Sequence, residues 1–156
     1  MSHNTNPADR LRIDIVQATP DMHISVSEIK LLLEQLTSRK IVFTDRDYIN
    51  LISSQNCRLY LAVARAENKK IAGMVALVHF RVPTGIHARI HDLVVDENYR
   101  GKGIGEKLMR TAIHSVRNSG ATHIELTSNA QRVAANRLYQ KMGITLINTN
   151  VYRLYL

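Results

Sequence analysis

Between residues 88 and 118 the chain passes from an apolar strand, through Arg100-Gly101-Lys102-Gly103-Ile104-Gly105, into an amphipathic helix. A strand that breaks at a glycine-rich turn and restarts as a helix calls for an architecture in which sheet and helix pack face to face. Glycines at alternate positions let the backbone take positive φ and approach a ligand without Cβ clashes. Successive N–H groups in such a turn form a nest for an anion, and the following helix N-terminus adds donors. Arg100 and Lys102 supply countercharge. Together these features predict a seat for phosphate or pyrophosphate. A Walker loop needs Gly-Lys followed by Ser or Thr, whereas Lys102 is followed by Gly103. The dinucleotide fingerprint needs GxGxxG after a parallel βαβ start, and this loop reads GxGxG.

The rest of the chain supplies the elements around that turn. Leu11, Ile13 and Ile15 alternate with polar residues and predict a strand at about 11–17. Ser25-Val26-Ser27-Glu28 has the spacing of a capping box. Ile29, Leu32, Leu33 and Leu36 follow at helical spacing, predicting a helix to about Ser38. Thr44 to Asp47 opens a second, shorter helix. Leu59, Leu61 and Val63 mark a strand ending near Ala66, which a polar turn at 67–70 joins to a long strand from Ile71 to Val82. After Pro83-Thr84-Gly85 comes the strand Ala88 to Val95. A helix from Ile104 to Asn118 gathers Ile104, Leu108, Met109, Ala112, Ile113 and Val116 on one side. Ile124, Leu126 and Ser128 mark a further strand, 131–142 a helix closed by Gly143, and 144–156 a terminal pair of strands. The expected fold is an α/β, mostly antiparallel mixed sheet of six to seven strands, with about four helices on both faces.

Composition narrows the classes. The 156 residues suit one domain, with residues 1–10 as a flexible N-terminus. The longest apolar stretch, Ile71 to Val78, falls far short of the ~18–20 residues a membrane helix needs, so no membrane partner is expected. The single cysteine, Cys57, rules out an intramolecular disulfide and a multi-cysteine metal site; it fits a reduced, cytoplasmic setting and a small buried side chain. Net charge is +8, but aromatics are only 5% and no Lys/Arg run exceeds two residues, which argues against nucleic acid as the partner. No metal is expected.

The loop resembles the acetyl-CoA signature of the GNAT superfamily of N-acetyltransferases, Arg/Gln-x-x-Gly-x-Gly/Ala, filled by Arg100, Gly103 and Gly105. The resemblance extends upstream to Asp92-Leu93-Val94-Val95 and the spacer Asp96-Glu97-Asn98-Tyr99. It resumes at Asn136-Arg137-Leu138-Tyr139-Gln140-Lys141-Met142-Gly143-Ile144, similar to the family's Leu-Tyr-x-Lys-x-Gly-Phe stretch. From residue 59 onward the order of elements is that of the family; the first 56 residues match only in kind.

This resemblance implies that acetyl-CoA is the cosubstrate, its pantetheine arm paired with the backbone of Leu93, Val94 and Val95. Its pyrophosphate would lie on Arg100, Gly101, Lys102, Gly103, Ile104 and Gly105, with Glu106, Asn129 and Asn136 completing the set. Tyr139 would touch the cofactor and act as general acid: a phenol near 10 can protonate a thiolate whose reference pKa is roughly 8.5. Arg132, Asn136 and Tyr139 share one helix face, with Ala134, Leu138 and Met142 on the core-directed face beside it. Arg132 stands where many members carry Asn. Asn129 also suits a helix N-cap. A base is needed for the ammonium acceptor, and Asp92 or His91 is the candidate; strand alternation lets only one of them face it. His79 and His87 on the hairpin are left unassigned. The expected reaction is acetyl transfer to a primary amine of a small molecule. The alternatives are acetylation of a protein N-terminus or lysine, and a non-catalytic acyl-CoA-binding module. Dimers are common in the family, and the terminal strands, with Val151, Tyr152, Leu154 and Tyr155, could pair across a two-fold as a homodimer.

Overall fold

A computed structural model describes residues 12–65 and 68–156. The N-terminal stretch Met1 to Arg10, the strand residue Leu11, the strand end at Ala66 and the turn residue Glu67 lie outside the described residues. The elements are β1 (Ile13–Gln17), α1 (Val26–Leu36), α2 (Asp45–Ile52), β2 (Cys57–Ala64), β3 (Lys70–Val82), β4 (Gly85–Val95), a 3-10 turn (Glu97–Tyr99), α3 (Ile104–Val116), β5 (Ile124–Glu125) and α4 (Val133–Lys141). One sheet runs in the order β1-β2-β3-β4-β5. Its first four strands pair antiparallel, and β5 joins β4 in parallel.

The middle strands read as near-continuous apolar runs because both faces of the sheet are covered. In β2, Leu59, Leu61 and Val63 pack beneath α1 and α2, while Tyr60, Ala62 and Ala64 pack beneath α3 and α4. The α1–α2 core adds Val26, Ile29, Leu32 and Tyr48; the α3–α4 core adds Ile104, Leu108, Met109, Ala112 and Val116. The stripe read for α3 is thus its buried face, with Ile113 half-buried against the same core. Gly73 lets β3 and β4 meet closely, since a Cβ there would sit 2.8 Å from the Val94 carbonyl oxygen.

Several local expectations are corrected. Five strands form among the described residues, in place of six to seven. Residues 144–156 carry strand-like residues but form no ladder, and Leu146 and Tyr152 are 92% and 87% exposed. The reason lies in β5: with only Ile124 and Glu125 paired to β4, it presents too short an edge to template further strands. Leu126 and Ser128 accordingly fall outside the strand. The capping box at Ser25 does not form. Ser25 bonds Ser27 through their hydroxyls at 2.6 Å, and Glu28 turns to accept from the backbone N–H of Ile71 at 3.3 Å. The box at Thr44 does form, with the Asp47 carboxylate accepting from Thr44 N–H at 2.8 Å and Thr44 Oγ1 accepting from Asp47 N–H at 3.2 Å. On α4 the core-directed alanine is Ala135, not Ala134, which is exposed.

Candidate active site

The glycine loop adopts the geometry its sequence predicts at two of its three glycines. Gly101 and Gly103 lie at φ +75° and +74°, and a Cβ added at either would meet nothing within 4 Å. Gly103 is the residue before α3, and no side chain caps that helix. Its first-turn donors are therefore available to an anion. Gly105 has a different job. It is helical, and a Cβ there would lie 3.2 Å from Leu138 Cδ2, so the residue brings α3 against α4. Ile104 is buried in the core. Glu106 accepts from Arg110 and from Lys141, each at 2.8 Å, and these two bonds lower its carboxyl pKa, Lys141 foremost. It serves the α3–α4 junction and not the loop.

The loop is held in place from two sides. Asp96 is only 7% exposed. Burial pushes its carboxyl upward, but bonds from Asn98 N–H, the Asn98 amide and Gln35, with the charge of Lys70, outweigh that and hold it below the ordinary value. Gln35, on α1, also accepts from Glu97 N–H at 2.9 Å. Lys102 donates to the Asn98 carbonyl at 3.2 Å and stands over the Tyr99 ring, 5.3 Å from its centroid. Sequence reasoning missed Gln35 and Asp96. The Asp96-Glu97-Asn98 spacing, which favours a side-chain-to-backbone turn, was the available signal for the second.

Upstream of the loop, β4 carries a bulge. Ala76 pairs with His91 and Met74 with Val94, so Asp92 and Leu93 together oppose Val75. Asp92 sits at φ +51°. The bulge breaks strand alternation, and His91 and Asp92 both line one cavity, contrary to the expectation that only one could. Beyond Arg89 the strand has no ladder with β5. On that open side the Leu93 carbonyl accepts from Arg132 at 2.7 Å, and the Val95 carbonyl from Arg100 at 3.1 Å. Val94 packs in the α1–α2 core, Leu93 in the α3–α4 core.

Tyr139 reaches the same cavity from α4. The helix ends in a Schellman arrangement: Ile144 N–H donates to the Tyr139 carbonyl and Gly143 N–H to that of Gln140, each at 3.0 Å, with Gly143 at φ +77°. This fixes the turn that carries Tyr139, which is 7% exposed. Burial pushes its phenol above the ordinary value, opposed in part by the Arg132 charge. Asn136 donates to the carbonyls of Asn129 and Ala130 at 3.0 and 3.4 Å. Asn129 is not the α4 N-cap, a place taken by Arg132; its side chain accepts from Gln131 N–H at 2.9 Å in the preceding turn.

The cavity measures about 380 Å³ and passes between the cores, with His91, Asp92, Leu93, Arg132 and Tyr139 toward β4 and α4. Leu33, Leu36, Phe43, Leu51, Leu59 and Met74 form its apolar wall. Cys57 is half-buried, and burial, with the Asp92 charge, pushes its thiol up, which suits a packed side chain rather than a nucleophile. His87 lies outside the cavity, 5.4 Å from His123 between ring centroids, and His79 likewise does not line it.

A mixed sheet with helices on both faces, a bulged strand that parts from its parallel neighbour, and a glycine nest opening a helix define an acyltransferase fold. Residues 29–144 match the sequence model of the acetyltransferase (GNAT) family, and the chain belongs to that family. It is similar to human N-acetyltransferase 8, 34% identical over 83 residues, which are 52% of this chain and 36% of that protein. Similarity to N-alpha-acetyltransferase 30 of Schizosaccharomyces pombe is 28% over 94 residues, 60% of this chain and 62% of the relative. The aligned stretch thus spans less than two thirds of either relative. The structure superposes with a TM-score of 0.76 on an aminoglycoside acetyltransferase from an uncultured soil sample, solved with sisomicin. Identity there is 18%, over 92% of this chain and 95% of that one. The family match begins at Ile29, so it takes in most of α1, where the sequence showed likeness only in kind. Open, positive-φ glycines before an uncapped helix fit the family's acetyl-CoA. No helix among the described residues is long and apolar enough to cross a membrane.

Proposed function

We propose that the chain transfers an acetyl group from acetyl-CoA to a primary amine of a small molecule, with Tyr139 as general acid. The observation that carries this reading is the meeting of Tyr139, Asp92 and His91 in one cavity beside the open edge of β4. When bound, acetyl-CoA supplies an acetyl thioester. Gly101, Gly103 and the first turn of α3 offer N–H donors for its phosphates, with Lys102 adding positive charge. The backbone of Leu93, Val94 and Val95 offers the extended edge for its arm. Leu93 and Val95 must first give up their bonds to Arg132 and Arg100 if their carbonyls are to pair anew. The phenol of Tyr139 keeps its proton through neutral pH, as burial dictates, and can release it from Oη to a departing sulfur. Asp92, and after it His91, would draw a cationic amine and accept its proton, a reading supported by the presence of both in the cavity lining.

The test is release of CoA thiol from acetyl-CoA over an amine panel, run beside Tyr139→Phe. General acid catalysis of this kind predicts a kcat lower by about 10²-fold in the variant with acetyl-CoA affinity kept. Turnover that survives the change would remove Tyr139 from the role. A non-catalytic acyl-CoA module would show binding without turnover in either protein.

Acetylation of a protein N-terminus is the second reading, favoured by the similarity to N-alpha-acetyltransferase 30. Short peptides in the panel decide it: turnover on peptides and none on small amines would replace the first reading. The exposed apolar residues of 144–156 support a homodimer in which that segment finds its partner on a second copy. A lone half-buried thiol suits a reducing, cytoplasmic setting. Two cores sharing one sheet support a single catalytic domain.

A further inference from the structure

The cavity does not stop at its apolar wall. Leu33, Thr37, Arg39 and Ile41 line both it and a second depression of about 410 Å³, which lies over the end of α1 and the segment that follows. The charged residues of this outer depression are Lys30, Arg39 and Lys40 against the single carboxylate Glu34. No ion pair among the described residues engages any of these four. The path therefore changes character along its length. Asp92 and Tyr139 line the cavity with Arg132, whose guanidinium is bonded to the Leu93 carbonyl, and with aliphatic and aromatic side chains, and the adjoining depression forms a mouth with an excess of positive charge.

We propose that the acceptor is an amine that carries an anionic group, carboxylate or phosphate, at the far end of an apolar spacer. The amine enters toward Asp92, the spacer lies on Leu33, Phe43 and Met74, and the anion meets Arg39 and Lys40. This rests on the acetyltransfer reading of the same cavity and names the chemistry that the cavity selects. A polyamine or a lysine-rich tail is disfavoured, since its second cation would face like charges at the mouth. A guanidinium presents forked donors to a carboxylate or phosphate, which makes Arg39 the specificity-determining residue.

Three amines of equal chain length test this: 6-aminohexanoate, hexylamine and 1,6-diaminohexane. On the wild-type protein kcat/KM is expected to be about tenfold higher for the amino acid than for hexylamine, and lowest for the diamine. The preference should shrink as salt is raised, as screening of exposed charge requires. In Arg39→Ala the ratio of amino acid to hexylamine collapses toward one, mainly through KM, and Arg39→Lys restores part of it. Equal rates on the three, preference for the diamine, or a ratio indifferent to Arg39→Ala would each overturn the proposal. A phosphate-ended analogue of the same length tells the two anions apart. Calorimetric binding of the three amines to the CoA-loaded protein separates this inference from the reading beneath it. Arg39-dependent preference in binding with no turnover sinks acetyl transfer alone; binding without preference, or none at all, sinks the acceptor class.

Discussion

Burial fixes the Tyr139 ring in the α3–α4 core and raises the proton affinity of its hydroxyl. The proposed general acid works only while it holds its proton, so a pKa raised above the ordinary ~10 would keep Tyr139 competent through neutral pH and silence it only as pH rises further. The alkaline limb of kcat is expected beyond pH 10, and Tyr139→Phe should abolish that limb along with most of the rate. Gly73 makes a second residue-scale prediction, on stability. A methyl group there collides with the Val94 carbonyl at 2.8 Å and crowds Leu108 Cδ1 at 3.3 Å. Overpacking at such a junction costs about 2 kcal/mol. Thermal melts of Gly73→Ala should show Tm lowered by roughly 4–8 °C, and an unchanged Tm would show that β4 yields freely.

Among the elements, the turn between β4 and α3 depends on a buried carboxylate. Asp96 has its pKa held below the ordinary ~3.9, so its contribution to stability is complete above that value and is lost as pH falls through the folded-state pKa. Melting temperature should therefore drop below about pH 4, and Asp96→Asn should flatten part of that drop. Asp96→Ala strands the donors of Asn98 and Gln35 and is expected to cost about 2 kcal/mol, read by chemical denaturation. The glycine nest, the α3 stripe and the Gly143 stop were legible in sequence because each is local: a φ, a period, a terminus. Gln35 was not legible, because its bonds to Asp96 and Glu97 join residues some sixty positions apart. The Asp92 bulge was hidden for a related reason. Only the register with β3 reveals that two residues oppose one, and alternation read along β4 alone misplaces His91. The capping box at Ser25 failed through competition, as Glu28 found a β3 backbone donor instead.

At the scale of the whole molecule, the proposed homodimer rests on the C-terminal segment. Leu146, Ile147, Val151, Tyr152, Leu154, Tyr155 and Leu156 are all exposed, a run of apolar side chains of the kind an interface between copies covers. With the proposed homodimer, sedimentation should give a dimer for the full chain and a monomer after removal of residues 145–156. A monomeric full chain would sink that assembly. The strand pattern in this segment was real as sequence, but a strand exists only through its partner, and the two-residue β5 offers none of sufficient length.

The two cores lie on opposite faces of the sheet they share, and Gln35 of α1 reaches the turn between β4 and α3. Residues proposed to hold the cofactor's phosphates follow β4 into the α3 side, and most of the proposed acceptor wall packs on the other. Distant side chains that share no partners change stability nearly independently. On the proposed reading, lineages of such a protein could explore new acceptors by drift in α2 and the segment before it, so long as Gln35 of α1 keeps its bonds to the loop. Choice of acceptor and hold on the donor would then be inherited largely on opposite sides of one sheet.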